Sequence, residues 1–282
     1  MSRTGIMLCY PLELRRLEHW LAEDRYTICQ PKFDGDRGRA LLLKDRVELI
    51  SSEGNDRNFA LPHLVHELEA LKPLFHSAGI YELDGEFYNH DLSHEQIHGI
   101  CSRSTDRHPD HGLIEYRIFD HINTTTLQRK RLDELYAVAF PCNKVMPCVS
   151  YLKRSVDDIM YYYQQLIAAG YEGIICRRPH ELYHRKRFTG IMKYKPKRKD
   201  TYTIVGYKEE YTIHNEPKGT LGALELIDPE NNVFAVSAGL THQQRQEYWD
   251  NRHTLIGRQC TIHYQAVTGR GIPKFVTDLE IE

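Results

Sequence analysis

The stretch that decides the reading is ICQPKFDGDRGR, residues 28–39. An apolar run leads into Lys32, an Asp34-Gly35 pair follows, and Arg37 and Arg39 come before a second apolar run. Alternation and turn residues make YTICQPKF, RGRALLLK and RVELISS successive strands, with DGD and KD as the turns between them. A lysine at such a strand end is a poor nucleophile while protonated and a good one once nearby cations or desolvation lower its pKa. Taken alone, the pattern also describes a hairpin with a surface lysine. The rest of the chain must choose.

Working outward, Leu12, Leu17, Trp20 and Leu21 suggest an N-terminal helix before this stretch. After it, HLVHELEALKPLF is helical, IYELDGEFYN and YRIFDHI are strands, and LQRKRLDELYAVAF is a helix. SVDDIMYYYQQLIAAG is a helix with Ser155 as N-cap and Gly170 at its stop. YEGIICRR and GIMKYKPK are strands. From Thr201 onward, five strand-like runs and one helical piece, HQQRQEYWDNRH, fit a small antiparallel barrel. The domain boundary is expected near Lys199, giving domains of 1–199 and 200–282.

The 282 residues, 41% of them hydrophobic, suffice for one large core or two ordinary ones. No stretch approaches the roughly 18 to 20 apolar residues needed to cross a bilayer. The N-terminus lacks the pattern of a secretion signal. A cytoplasmic protein without membrane contact is expected. Seven cysteines, without a CxxC pair, suggest buried free thiols rather than a disulfide framework or zinc ribbon.

The net charge of −2 conceals a division: residues 1–199 carry 30 Lys+Arg against 27 Asp+Glu, and residues 200–282 carry 7 against 12. Residues 177–199, RRPHELYHRKRFTGIMKYKPKRK, hold ten Lys or Arg against the single acid Glu181. Such density suits a polyanion, or else a solvated basic face.

A second Asp-Gly lies in ELDGEFY (82–88), where alternation sends Asp84 and Glu86 to one strand face. Two carboxylates there suit a hard cation such as magnesium. Glu172 opens the apolar strand EGIIC. Lys193 and Lys195 alternate on KYK, and like charges on one face are costly unless an anion sits between them.

The ordered set K-x-D-G-x-R at 32–37, L-D-G-E at 83–86, R-I-F-D at 117–120, E-G-I-I at 172–175 and K-Y-K-P at 193–196 resembles the covalent nucleotidyltransferase superfamily. The resemblance is strongest to ATP-dependent DNA ligases of compact phage and bacterial type and covers nearly the whole chain. It implies an α+β fold: an ATP-grasp-like adenylation domain of antiparallel sheets and helices, followed by a small OB-fold β-barrel. It implies ATP and magnesium as cofactors, nicked duplex DNA as partner, and action as a monomer.

The roles follow residue by residue from the resemblance. Lys32 would attack the α-phosphate of ATP, and Lys193 and Lys195 would bind that phosphate and lower the lysine's pKa. Glu86 and Glu172 would hold magnesium and the ribose, and Asp34 would keep the site organised. Arg37 would bind the ribose or the 5′-phosphate at the nick, with Asp84 supporting it. Phe119 would stack on adenine and Gln30 would line its edge. DNA contacts are expected from Arg177, Arg178, Lys186, Arg187, Lys197 and Arg198.

Two positions depart from the family pattern. Ser52 stands where a Ser-Arg-x-Gly motif has its Arg, so a phosphate contact is either missing or supplied by Arg57. Gly271 stands at another Arg position near the C-terminus, with Arg270 and Lys274 as the nearest substitutes. His90, His94 and His98 recur at helical spacing, but no fourth zinc ligand is evident and surface histidines are the expectation. The rival readings are an RNA ligase or mRNA capping guanylyltransferase, and a non-catalytic barrel that binds single-stranded nucleic acid.

Overall fold

Alternating apolar side chains become strands wherever one face can be buried, and among the described residues they build three five-stranded sheets and one two-stranded sheet. The computed structural model describes residues 5–141, 143–196, 198–237, 239–264, 266–268, 271–274 and 276–282. Lys197 and Arg270, singled out above, lie outside the described residues. The chain divides into two units, Met1–Tyr194 and Lys195–Glu282.

The first unit runs β1 (Leu8–Pro11), α1 (Leu14–Asp24), β2 (Thr27–Lys32), β3 (Asp36–Leu42), β4 (Val47–Ser51), α2 (Pro62–Ser77), β5 (Glu82–Tyr88) and α3 (His94–Cys101). It continues through β6 (Glu115–His121), α4 (Gln128–Ala137), β7 (Val145–Pro147), β8 (Tyr151–Lys153), α5 (Val156–Ala168), β9 (Gly173–Arg177) and β10 (Arg187–Tyr194). One sheet has the order β1-β10-β9-β2-β8 and the other β4-β3-β5-β6-β7. Pairing is antiparallel except for β1 on β10 and β7 on β6.

Strands β2 and β3 therefore belong to different sheets, although the sequence reads as neighbours across a turn. The Asp34-Gly35 link is a crossing between sheets rather than a hairpin. Turn chemistry marks a change of direction, whereas the sheet that receives the chain next is set by which apolar face must be buried. Gly35 serves close approach: a Cβ there would lie 2.3 Å from the carbonyl oxygen of Phe87.

Helices cover one face of each sheet. Cys29, Ile174, Cys176 and Met192 of the first sheet pack with Leu17 and Trp20 of α1 and Ile159 and Leu166 of α5. On α2, Leu64, Leu68, Leu71 and Phe75 recur at helical spacing and are buried with Ala40, Leu49, Leu83 and Phe87 of the second sheet. Helix α5 starts as its sequence suggests, with Ser155 Oγ accepting the Asp158 N–H at 3.1 Å, and Gly170 beyond its end has φ +86°. The opposite strand faces mix apolar residues such as Ile28 and Ile191 with polar and charged ones, and the candidate site is built on them.

The second unit comprises β11 (Arg198–Tyr211), β12 (Pro217–Ile227), β13 (Val233–Val236), α6 (His242–Asp250), α7 (Arg252–Leu255), β14 (Gln259–Tyr264), β15 (Ala266–Val267), β16 (Pro273–Lys274) and β17 (Asp278–Ile281). Its five-stranded antiparallel sheet has the order β13-β12-β11-β14-β17, and β15 pairs with β16 separately. Ile204, Leu221, Leu224, Leu226, Cys260 and Ile262 form its core. Among the described residues no helix is long and apolar enough to cross a membrane, and the six described cysteines are free thiols.

Candidate active site

Lys32 is the last residue of β2 and pairs in register with Gly173, the first residue of β9. Gln30 pairs with Ile175, which pairs with Lys193 on β10. Since successive strand side chains alternate, Lys32, Gln30, Arg177 and Lys193 share the face away from α1 and α5. The chain just before β9 doubles the attachment. Glu172 donates its backbone N–H to the Lys32 carbonyl at 3.1 Å, and its carboxylate accepts a short hydrogen bond from the Lys32 ammonium.

That pairing governs the nucleophile. Burial would lower the Lys32 pKa, but the charges of Glu172 and Glu86, with the Glu172 hydrogen bond, outweigh it and raise the value. The unliganded lysine is therefore held as an ammonium, opposite to the lowering expected from Lys193 and Lys195. Burial also pushes the Glu86 carboxyl up to about 8, although Lys32 and Arg37 pull it down. Glu172 is the carboxylate in direct hydrogen-bond contact with the ammonium.

The second sheet brings Arg37, Asp84 and Glu86 together across β3 and β5. Arg37 stands opposite Glu86 in register but bonds diagonally to Asp84, Nε to Oδ1 at 3.0 Å and Nη2 to Oδ2 at 2.6 Å. Asp84 is 0% exposed and also accepts the Tyr183 hydroxyl at 2.5 Å. The ring of half-buried Phe119 has the guanidinium of Arg37 5.2 Å from its centroid and that of Arg177 at 5.3 Å. Both lie within cation–π range.

Behind Phe119 runs a buried polar chain. Arg131 of α4, wholly buried, grips Asp120 with Nε at 2.9 Å and Nη2 at 3.0 Å. Asp120 also receives Arg177 Nη1 at 3.2 Å, and Arg177 Nε donates to Gln30 Oε1 at 2.7 Å. Gln30 Nε2 then donates to the Phe119 carbonyl at 3.0 Å and to Ser150 Oγ at 2.9 Å. Burial favours the neutral form of Asp120, but Arg131 and then Arg177 outweigh it and hold its carboxyl below the usual range.

The residues grouped for DNA contact are placed differently from one another. Arg177 is 3% exposed and committed to Asp120 and Gln30, and Asp84 is equally enclosed, so neither offers a surface to a duplex. Arg178 is held by Asp24 at 2.6 Å and Glu23 at 2.7 Å. Lys186, Arg187 and Arg198 are exposed. Dense basic composition does not reveal which cations are already paired. Asp34 is exposed on the inter-sheet link, Lys193 lies on β10, and Lys195 is the first residue of the second unit.

Ser52, in place of the motif Arg, is buried and donates its backbone N–H to the Arg37 carbonyl at 3.0 Å. Gly271 has φ +78°, a conformation in which an Arg would be strained. His90 precedes α3 and bonds the Tyr88 hydroxyl at 2.6 Å, while His98 on α3 faces Asp36 at 2.8 Å. Among the described residues no group of three or more His, Cys, Asp or Glu is arranged to hold a metal ion. Sequence reasoning missed Arg131, Tyr183 and Ser150. Arg131 sits among the charges of a surface-like helix, QRKR, and nothing local marks it as buried.

The model of the ATP-dependent DNA ligase domain matches residues 7–195, and that of a DNA ligase OB-like domain matches residues 215–281. The African swine fever virus DNA ligase is 25% identical over 271 residues, covering 89% of this chain, and the chain spans 62% of that relative's length. A Lig E DNA ligase structure superimposes with a TM-score of 0.74 at 18% identity, covering 99% of each chain. The bacteriophage T7 ATP-dependent DNA ligase, in complex with ATP, gives 0.59 at 17% identity over 98% of each. With its adenylation-domain match spanning Lys32, Glu86, Phe119, Glu172 and Lys193, the chain belongs to the ATP-dependent DNA ligase family.

Proposed function

We propose that the protein seals nicks in duplex DNA with ATP, through a covalent lysyl-AMP intermediate at Lys32. The observation that carries this reading is the Lys32–Glu172 pair, with the charge of Glu86 acting on Lys32 and the Arg37 guanidinium over the Phe119 ring. In the first step Lys32 Nζ attacks the α-phosphorus of ATP. A P–N bond forms, the bond to the β-phosphate oxygen breaks, and pyrophosphate leaves. Lys32 rests as an ammonium, so its proton must first depart, and Glu172 is in hydrogen-bond contact to accept it.

The 5′-phosphate of the nick then takes the AMP from Lys32, and the adjacent 3′-hydroxyl displaces AMP to close the phosphodiester. Such phosphoryl transfers depend on positioning and charge neutralisation more than on proton shuttles. Arg37 meets the ribose or the 5′-phosphate, with Asp84 and Tyr183 fixing its fork. Phe119 stacks on adenine. Gln30 and Arg177 act as positioning residues beneath it, because their own polar atoms are committed to one another. Lys193 and Lys195 bind the α-phosphate, Asp34 keeps the site organised through the later steps, and Lys186, Arg187 and Arg198 supply electrostatic attraction for DNA.

Two half-buried carboxylates, Glu86 and Glu172, suit a hard divalent cation that completes its shell from substrate phosphates and water. Glu86 and Glu172 would hold magnesium, which when bound neutralises phosphate charge. The adenylation domain is assigned to residues 1–199 and the OB domain to 200–282, acting as a cytoplasmic monomer.

The test is incubation with α-labelled ATP and magnesium, denaturing electrophoresis, and then addition of nicked duplex. Label should attach to the wild-type chain and be released as the nick closes. Labelling from GTP instead would move the protein to the capping class, and absence of any label would end the proposal.

A further inference from the structure

The face of the first sheet that packs against α1 and α5 carries two thiols side by side. Cys29 on β2 and Cys176 on β9 are direct partners in the antiparallel register, with their Sγ atoms 3.9 Å apart. Both are buried among Leu17, Trp20, Ile159 and Met192. The nucleotide chemistry does not use them. Cys29 lies three residues before Lys32, so strand alternation puts the thiol and the ammonium on opposite faces.

The pair meets the geometric demands of a disulfide. In-register antiparallel partners have Cα atoms roughly 4.5 or 5.5 Å apart, inside the roughly 4.4–6.8 Å that a disulfide spans. The sulfurs, now 3.9 Å apart, need to close to about 2.0 Å. Cys9, Cys101, Cys148 and Cys260, the other described thiols, have no sulfur partner among the described residues. The two cysteines are 147 positions apart in the chain, and a cross-link closing so long a loop removes much freedom from the unfolded state.

Burial keeps the pair reduced. It pushes the Cys29 thiol up, reinforced by the contact with Cys176, so the reactive thiolate is scarce while the sheet is closed. The cover is thin on one side. Tyr151 of β8 is the register partner of Cys29 and packs on Tyr162 of α5, with 5.0 Å between ring centroids. Strand β8 is three residues long, forms the edge of the sheet, and leaves Tyr151 half exposed. Short edge elements with little buried surface open locally at far lower free energy than the whole domain.

We propose that Cys29 and Cys176 form a reversible oxidation site, at which a peroxide closes a cross-strand disulfide that staples the first sheet. In the first step the O–O bond breaks, one thiol loses two electrons to become a sulfenic acid, and one water leaves. The second thiol then attacks that sulfur and the S–S bond forms. A second water departs, made from the sulfenic hydroxyl and the remaining thiol proton. A dithiol reductant reverses the bond by exchange. The staple lies on the face away from Lys32, so the oxidised chain keeps its nucleophile in place.

The test uses the full-length wild type, Cys29→Ala and Cys176→Ala, each treated with hydrogen peroxide with and without urea below the unfolding transition. Free thiols are alkylated and the chain is cut with trypsin. The bond is read as peptides 26–32 and 155–177 joined, two hydrogens lighter than their sum. It should form in the wild type, faster in urea, and vanish with dithiothreitol. The oxidised wild type should melt roughly 5–10 °C above the reduced form, a shift absent from both Ala variants. AMP gain at Lys32 should stay within about twofold of the reduced sample, because the thiols face the other way.

Free thiols at both positions after peroxide in urea would overturn the proposal, as would a link from either cysteine to a different one. So would a joined pair of peptides with an unchanged midpoint, or with AMP gain abolished until reductant is added. Should the Ala variants fail to fold, the wild-type peptide map and its reversal by dithiothreitol still decide the matter. A chain that never gains AMP in either state would sink the ligase reading, while the joined peptides and raised midpoint would still establish the staple.

Discussion

Arg177 Nε donates to Gln30 Oε1 at 2.7 Å, and because a guanidinium has no acceptor this contact determines which way the Gln30 amide faces. The amide nitrogen is thereby turned to the Phe119 carbonyl, so two sheets are joined at the residue proposed to receive adenine. Asp120 holds the arrangement by accepting from both Arg177 and Arg131. Replacing Asp120 with Ala leaves two buried cations without their carboxylate. A destabilisation of roughly 3–5 kcal/mol is expected, read as a lower midpoint in thermal or urea unfolding. An unchanged midpoint would remove Asp120 from this role.

The same carboxylate predicts a pH dependence. Its folded pKa is lowered, burial being outweighed by Arg131 and Arg177, so folding favours the charged form. The stabilisation is complete above the ordinary aspartate value of about 3.9 and is lost as pH falls through the lower folded value. The stability gap between wild type and Asp120→Ala should therefore be widest near neutrality and should shrink in acid. A gap that widened as pH fell would give the opposite sign and refute the assignment.

Lys32→Ala should yield no mass gain after exposure to ATP and magnesium, and no sealing of a nick. Lys32→Arg should be equally inert, because guanidinium stays protonated and cannot act as the nucleophile. Binding of nicked duplex should persist in both, since affinity comes chiefly from phosphate contacts elsewhere. Residual sealing by the Ala variant would show that another residue carries the AMP.

Much of this site was legible before any coordinates. Lys32, Arg37, Asp84, Glu86, Phe119 and Glu172 fall in short motifs whose strands are marked by alternation, and strand periodicity alone puts Asp84 and Glu86 on one face. What could not be read is pairing between distant segments. The Asp34-Gly35 link looked like a hairpin because its residues are turn formers, yet its two strands pair elsewhere. Strands β7 and β8, three residues each, are too short to show a period. Burial of Arg131 and Arg177 was invisible because their acceptor, Asp120, lies 11 and 57 residues away. The rise in the Lys32 pKa was missed for the same reason: its counter-charge Glu172 lies 140 residues on.

Joining should be strongly salt-sensitive. If closure on the duplex neutralises six to ten phosphates, affinity falls by about 10³ to 10⁵ between 50 and 200 mM salt. Joining under subsaturating protein should follow that fall, whereas Lys32 adenylation, which involves no duplex, should decline far less. Salt-insensitive joining would contradict binding through the phosphate backbone.

The crossing between sheets makes Gly35 the most exacting position near the nucleophile. Its backbone needs no left-handed conformation, so the constraint is one of space alone: an added Cβ would meet the Phe87 carbonyl oxygen at 2.3 Å and Glu86 Cγ at 2.9 Å. The first of these is a backbone atom in the β3–β5 ladder and cannot swing aside as a flexible side chain would. Gly35→Ala must therefore push β3 away from β5 or displace the end of β2, and crowding of this kind typically costs about 1–3 kcal/mol. Lys32 is three residues upstream and Glu86 is directly touched, so adenylation should fall more steeply than stability. The measurement is a paired one, unfolding midpoint and rate of AMP gain on the same sample. A variant that kept the wild-type adenylation rate would show that the link tolerates the methyl group, and that nucleophile placement does not depend on this close approach.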